Sequence, residues 1–443
     1  MLPRCARWMW GPRRRRGPEA MRILFLHPKA WTGEYALLHE LVRMGHDVCV
    51  LEERRGGGTR AFTAWHQAPG DGLRMLWYDP SRGALRLVTW LADRVFRRAF
   101  EGRNLVHRML VIAEAVRHFR PDAIVSSDGF SYGIPAGLAR RTGLFSTRLL
   151  VSYIGGDVLD CPEAEVGHRR TRLTDWLIRA SLPGVDLLRA VSPKIEAVLL
   201  EDGALRSRVH VLPSHLVAGH GELAGVAARK SACRAEIREQ YGIAAAAPLV
   251  VTLSGNHKGK GLHVLAAAWP QVVREVAGAR WMLCGPDHPW LRAEVWPVLE
   301  RAGVRDTVVA TGTLQGLEVF RHLAAADVHV NPSLCESLNM VTAEAAAVGT
   351  PTIGSDGAGI AHWISRFGAG KVVPRAEVRP LADAIIFALQ NADPHQNSRP
   401  SHARADALDA LAGEFALERV AAGLIALLQG DIHQQHPSSR VRP

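Results

Sequence analysis

The stretch VHVNPSLCESLNMVTAEAAAVGTPTIGS, residues 328–355, decides how the chain is read. Its first six residues are a short apolar run closed by Pro332 and Ser333. Its last six, Thr350–Ser355, are a second such run. The small-residue segment between them predicts a helix that starts near Asn339. Strand, helix, strand is the unit that joins two parallel strands, because a crossover has to carry the chain back. Glu336 falls on the strand-to-helix turn, and Glu344 falls in the second turn of the helix. The backbone N–H groups of Ser337, Leu338 and Asn339 would open that helix, and a helix N-terminus is suited to a phosphate. A carboxylate at Glu344 can accept paired hydrogen bonds from vicinal hydroxyls, as on a ribose. One site would then hold a sugar, a diphosphate and a nucleoside in sequence.

The same alternation runs outward in both directions. Upstream it gives strands at Arg22–His27, His46–Glu52, Asp122–Ser127, Leu149–Ile154, Asp186–Val191 and Val209–Pro213. A long basic helical region is expected over residues 83–119. Residues 214–231, rich in Gly, Ala and His, read as a linker. The pattern restarts with strands at Leu249–Ser254, Arg280–Gly285, Thr307–Gly312, Val328–Ser333, Thr350–Ser355 and Gly370–Val373. The expectation is α/β: two doubly wound Rossmann-like domains, residues 21–213 and 232–413, facing each other across a cleft. A final amphipathic helix, residues 414–430, would pack back across the domains, and residues 431–443 would be a disordered tail. No G-x-G-x-x-G follows the first strand, which counts against a dinucleotide-dependent dehydrogenase.

Composition excludes several classes. The chain has 443 residues, 47% hydrophobic and 22% charged, with no apolar run long enough to span a bilayer. Its six cysteines are scattered without a C-x-x-C pair, so neither a disulfide framework nor a zinc site is expected and a reducing compartment is favoured. Net charge is +11, and residues 1–20 carry six arginines and one glutamate of it. Two readings of that leader stand: sequence upstream of a true start at Met21, or a basic arm. Charge alone, with no recognisable motif, does not argue for nucleic acid. The stretch Arg86–Met109 mixes arginines with Trp90, Phe96 and Phe100. It reads either as a face for anionic lipid or as core aromatics with solvated arginines.

The residues also carry a resemblance. Pro332, Ser333, Glu336, Glu344, Ala345, Ala347, Gly349, Pro351 and Ile353 stand in register with the signature of retaining family 4 glycosyltransferases, roughly P-S-x-x-E-G-F-G-x-x-x-x-E-A-x-A-x-G-x-P-V-I. The run ending in Ala326, Asp327 and VHVNPS, the segment GKGLHVLAAAW at Gly259–Trp269 and the run RAVSPKIEAVLL resemble further family segments. The likeness covers nearly everything from Met21 to Leu428, more specifically in the C-terminal half.

That resemblance implies a GT-B fold and retaining transfer from a nucleotide-diphosphate sugar to a glycan, lipid-linked or small-molecule acceptor. It implies no cofactor and no metal, and no Asp-x-Asp occurs in the chain. Glu336 would contact the donor sugar, Glu344 its ribose, and Lys260 the diphosphate, with Lys258 as a second cation. The loop Gly255, Asn256 and the turn Ser337, Leu338, Asn339 would line the donor. The family's arginine before the lysine is replaced by Asn256 or His257, and its His-Gly pair reads Ile154-Gly155. Asp157 is then expected to play a polar role near the sugar, or to be a helix cap or turn residue. Gly33 reads either as a close approach to phosphate or as a plain turn. Ser337 and Asn339 replace two family glycines, and asparagine tolerates left-handed backbone. The implied location is cytoplasmic, with a peripheral contact at the inner face of the membrane. The competing reading is a non-catalytic GT-B protein that binds a nucleotide sugar as a partner or regulator.

Overall fold

Short runs buried on both faces become parallel strands, because only a sheet covered by helices on each side hides them fully. The computed structural model describes residues 19–27, 33–53, 72–78, 84–98, 100–169, 171–217, 220–391 and 402–430. Most of the basic leader and the whole of the C-terminal tail lie outside the described residues.

In the N-terminal half the strands are β1 (Arg22–Leu26), β2 (Asp47–Glu53), β3 (Arg74–Tyr78), β4 (Ala123–Ser126), β5 (Arg148–Tyr153), β6 (Leu187–Ala190) and β7 (Val209–Val211). They form one sheet in the order β3-β2-β1-β4-β5-β6-β7. In the C-terminal half β8 (Leu249–Leu253), β9 (Arg280–Cys284), β10 (Val308–Gly312), β11 (Val328–Asn331), β12 (Thr352–Ser355) and β13 (Gly370–Val373) form a second, in the order β10-β9-β8-β11-β12-β13. Ladders such as Ile23 opposite Val48 and Val330 opposite Ile353 are parallel. The strand order reverses at β1 in the first sheet and at β8 in the second. Ligands of doubly wound sheets sit outside the carboxyl ends of the strands at such a reversal. Those ends are where β1 and β4 give way to loops in one domain, and β8 and β11 in the other.

Four local readings change. Strand β3 has no counterpart in the sequence reading: it is a half-buried edge strand, RMLWY, without the apolar alternation that marks the others. The long basic region is two helices, Ala84–Phe96 and Leu105–Phe119, broken where Glu101 and Gly102 take left-handed backbone. Its aromatics divide: Phe100 is fully buried, whereas Trp90 is 53% exposed. The stretch read as a linker carries a helix at His220–Ala228.

The C-terminal helix, Leu417–Gln429, completes the first domain rather than the second. Ala421, Leu424, Ile425 and Leu428 share one cluster with Ile23, Phe25, Leu38 and Val48. Arg148 donates to the carbonyl of Leu428 at 2.9 Å. Burying each large apolar side chain of this kind contributes about 1.5–3 kcal/mol.

The expectation of no disulfide is overturned. Cys161 and Cys335 are joined across a sequence separation of 174 residues. Spacing rules read local pairs, and this pair is made only by two loops meeting at the domain seam.

Candidate active site

The turn after β11 is built around Glu336. Its backbone N–H donates to Gly357 at 3.0 Å and its carbonyl accepts from Gly359 at 3.1 Å, which fastens the turn to the loop after β12. Asn339 caps the helix Met340–Ala347 with φ 83°, its side-chain oxygen accepting from the Thr342 N–H at 3.0 Å and the Thr342 hydroxyl at 2.8 Å. A left-handed cap suits asparagine, whose short amide bonds locally. The other end of the same amide donates to Glu336 Oε2 at 3.0 Å, and Ser333 Oγ donates to that oxygen at 2.8 Å.

Lys260 comes from the loop after β8 and donates to Glu336 Oε1 at 2.5 Å. Burial pushes the Glu336 carboxyl up, but Lys260, Asn339 and Ser333 outweigh it and hold it below its ordinary value. Glu336 is therefore ionised at neutral pH. The short turn Lys258–Lys260 leads directly into the helix Leu262–Glu275 through Gly261, φ 67°. A Cβ there would sit 2.0 Å from the Pro332 carbonyl, so only glycine lets the two loops close together. Lys260 thus faces Glu336 because β8 and β11 are sheet neighbours.

Glu344 differs from both. It lies one turn into its helix, largely enclosed, and among the described residues has no hydrogen-bond or ion-pair partner. Burial alone pushes its carboxyl up to about 7. Such a group is ready to accept hydrogen bonds from ligand hydroxyls.

Other expected donor residues have different tasks. Asn256 is fully buried at φ 54°, and its amide donates to the Pro286 carbonyl at 2.8 Å. Its side chain shapes the loop and is not open to a donor, a correction to the expected contact; the neighbouring Gly255 is exposed. Lys258 is half-buried beside it. Leu338 is packed in the core, leaving only its backbone for a ligand. Ser337 accepts through its carbonyl from Ser192 Oγ, across the domain seam, at 2.5 Å.

The two N-terminal expectations resolve toward structure. Asp157 is buried, and its carboxylate accepts from the N–H groups of Gly129 at 2.8 Å, Ile154 at 3.0 Å and Gly155 at 2.7 Å. It holds the loop after β5 in shape, which replaces the expected contact with the sugar. Gly33 takes φ 72° at the start of the helix Glu34–Arg43, its carbonyl accepts from His215 at 3.1 Å, and Val217 fills the space beside it. That is a turn packed against the segment leaving the first domain.

Sequence reading missed a polar group at the carboxyl ends of β1 to β3. His27, at φ 48°, stacks on Tyr132 with ring centroids 5.1 Å apart. Tyr132 and Tyr78 share a hydrogen bond of 2.8 Å, and Arg108 donates to Glu53 at 2.6 Å. These five residues come from five separate elements with no shared motif. The only sequence signal was His27 at the end of the first strand.

Two family models match the chain: a glycosyl transferase 4-like domain over residues 31–215 and glycosyl transferases group 1 over residues 247–391. The putative colanic acid biosynthesis glycosyltransferase WcaL of Escherichia coli is 24% identical over 78% of this chain and 84% of its own length. A GDP-mannose-dependent alpha-(1-6)-phosphatidylinositol monomannoside mannosyltransferase of Mycobacterium tuberculosis is 32% identical over 37% of this chain and 43% of its own. In fold the chain resembles a glycosyltransferase from Rickettsia africae, with TM-score 0.70, 14% identity and coverage of 94% of this chain and 99% of that one. It also resembles HepE from Anabaena in complex with UDP, with TM-score 0.69, 16% identity and coverage of 93% and 100%.

Proposed function

Because the chain belongs to the group 1, family 4 glycosyltransferases and has their GT-B fold, we propose that it uses a nucleotide-diphosphate sugar as donor and transfers the sugar with retention. The bond from the sugar's anomeric carbon to the diphosphate breaks, and a bond from an acceptor hydroxyl to that carbon forms on the same face. The observation that carries this reading is the contrast of three groups at the turn after β11 and the helix it opens. Glu336 is held ionised by Lys260, and Glu344, one turn into that helix, has no partner among the described residues.

Each group then has one task. Glu336 accepts from the sugar hydroxyls. An ammonium has three donors and Glu336 takes one, so Lys260 has others for the departing diphosphate. Lys258 and the N-terminus of the helix Met340–Ala347 add positive potential there. Glu344 accepts from the ribose. Lysines in this role make a divalent metal unnecessary.

The acceptor is proposed to be a glycan or a lipid-linked molecule. Similarity to a colanic acid biosynthesis enzyme and to a phosphatidylinositol monomannoside mannosyltransferase supports this class. Among the described residues no helix is long and apolar enough to cross a membrane. A peripheral contact at the inner membrane face is supported by exposed Trp90, Leu91 and Val95 set among exposed Arg94, Arg97 and Arg98.

A calorimetric series with UDP, GDP and ADP, followed by donor hydrolysis with and without excess EDTA, tests the reading. The expected result is tight binding of one nucleotide and slow hydrolysis that EDTA leaves intact. Binding with no release of nucleotide diphosphate would mark a non-catalytic binder. Loss of hydrolysis in EDTA that manganese or magnesium restores would overturn the metal-independent chemistry.

A further inference from the structure

We propose that Cys161 and Cys335 form a thiol–disulfide exchange site that fastens the two domains across the cleft beside Glu336, and that a dithiol reductant releases it. Cys161 heads the short turn Pro162–Ala164 in the loop after β5. Cys335 stands directly before Glu336 in the loop after β11. Their Cα atoms are 6.5 Å apart, within the range of natural disulfides. The other described cysteines, Cys49, Cys233 and Cys284, are each buried as free thiols.

The bond joins loops that already touch. Ser192 of the first domain donates to the Ser337 carbonyl at 2.5 Å. The Lys194 ammonium donates to the Gly357 carbonyl and lies 3.9 Å from Cys335 Sγ. Gly155 faces Ser337, and the Ala164 carbonyl faces Gly259. Breaking the covalent link therefore leaves a seam of a few hydrogen bonds, which can part.

The surroundings also set the chemistry. Cys161 is 9% exposed and Cys335 is 3% exposed, so Cys161 is the more accessible residue of the pair. A thiolate of the dithiol attacks Cys161 Sγ, the sulfur–sulfur bond breaks, and Cys335 leaves as a thiolate beside the Lys194 ammonium. A nearby cation favours such a leaving thiolate. The second thiol of the reductant then displaces Cys161. The dithiol ends as a disulfide, and two electrons and two protons pass to Cys161 and Cys335. A ligand held between two domains enters and leaves when they part. A crosslink next to Glu336 restrains that motion, and its reduction permits it.

The test uses the full chain, the wild type against Cys161→Ser, with and without excess dithiothreitol. Peptide mapping without reductant should find Cys161 linked to Cys335 in the wild type. Hydrogen exchange should then rise about tenfold in residues 155–166 and 333–338 on reduction. Cys161→Ser should exchange at the reduced rate in both conditions; if that variant fails to fold, Cys335→Ser takes its place. Unlinked cysteines, or equal exchange in the oxidised and reduced wild type, would overturn the proposal. This readout needs no donor, so its failure is distinct from failure of nucleotide binding. Only a further arm rests on the proposed function: bound nucleotide should dissociate about tenfold faster from the reduced protein, and equal rates would refute control of the cleft.

Discussion

Asp157 and Glu344 are both carboxylates with little access to water, one from each domain, and burial pushes both upward. They differ in what they touch. Asp157 accepts from three backbone N–H groups of its own loop and neighbour. Glu344 has no partner among the described residues. The first is a fixed part of the fold, since removing it strands donors that water cannot reach. The second is costly to keep ionised in the free protein and gains its partners only from a ligand. Burial and charge alone would not separate them; the count of donors does.

Glu336 stands between these cases, tied to Lys260 on one oxygen and to Ser333 and Asn339 on the other. Its pair gives the largest expected effect. Lys260→Ala should lower turnover by ~10²–10³-fold, the scale of losing one charge-stabilising donor, with the folding transition close to wild type. Steady-state kinetics beside urea unfolding checks this. If stability falls while turnover holds, the pair belongs with Asp157 as structure.

Next is Asp157→Ala, which should destabilise the fold by about 3 kcal/mol by urea unfolding, because buried N–H groups lose their acceptor. Nucleotide affinity should stay within a factor of about three. A large loss of affinity in a stably folded variant would return Asp157 to the donor site and break the contrast.

Glu344→Gln should do the reverse. Calorimetry should show nucleotide binding weakened by about tenfold, the order of one charge-assisted hydrogen bond. The free protein should become more stable at pH 8. The carboxyl titrates at about 7 when folded against an ordinary 4.5. Its destabilising effect is therefore absent below pH 4.5 and complete above 7, at about 3 kcal/mol. Wild-type nucleotide affinity should rise with pH through 7 as the acceptor ionises, and the Gln variant should lack that rise. A flat wild-type profile would remove Glu344 from the ribose role.

The smallest effect concerns the outer face. Arg97→Ala should weaken binding to vesicles containing anionic lipid by about 1 kcal/mol, roughly fivefold, in co-sedimentation. Equal binding by both proteins would assign that helix face to solvent.

Much of this was legible in the chain. Buried parallel strands are written as short apolar runs, so both sheets and their order of appearance could be read without coordinates. The Glu336–Glu344 stretch was legible for a related reason: strand, turn and helix follow one another within a few residues, so spacing fixes placement. Strand β3 was not, because an edge strand needs no continuous apolar pattern. Nor did the sequence tell Asp157 from Glu344, since both are single carboxylates in turns or helices. The donors that satisfy Asp157 include Gly129, from a loop 28 residues away.

Tertiary structure alone decided the long-range matters. It placed the helix Leu417–Gln429 on the first domain's core, joined Cys161 to Cys335, and set Ser192 and Lys194 against the turn that carries Glu336. The physical reason is the same in each case. Local periodicity records which face of a segment is buried, but not what buries it. A partner more than a hundred residues distant leaves no mark on spacing, and the contact exists only when the two distant segments fold and meet.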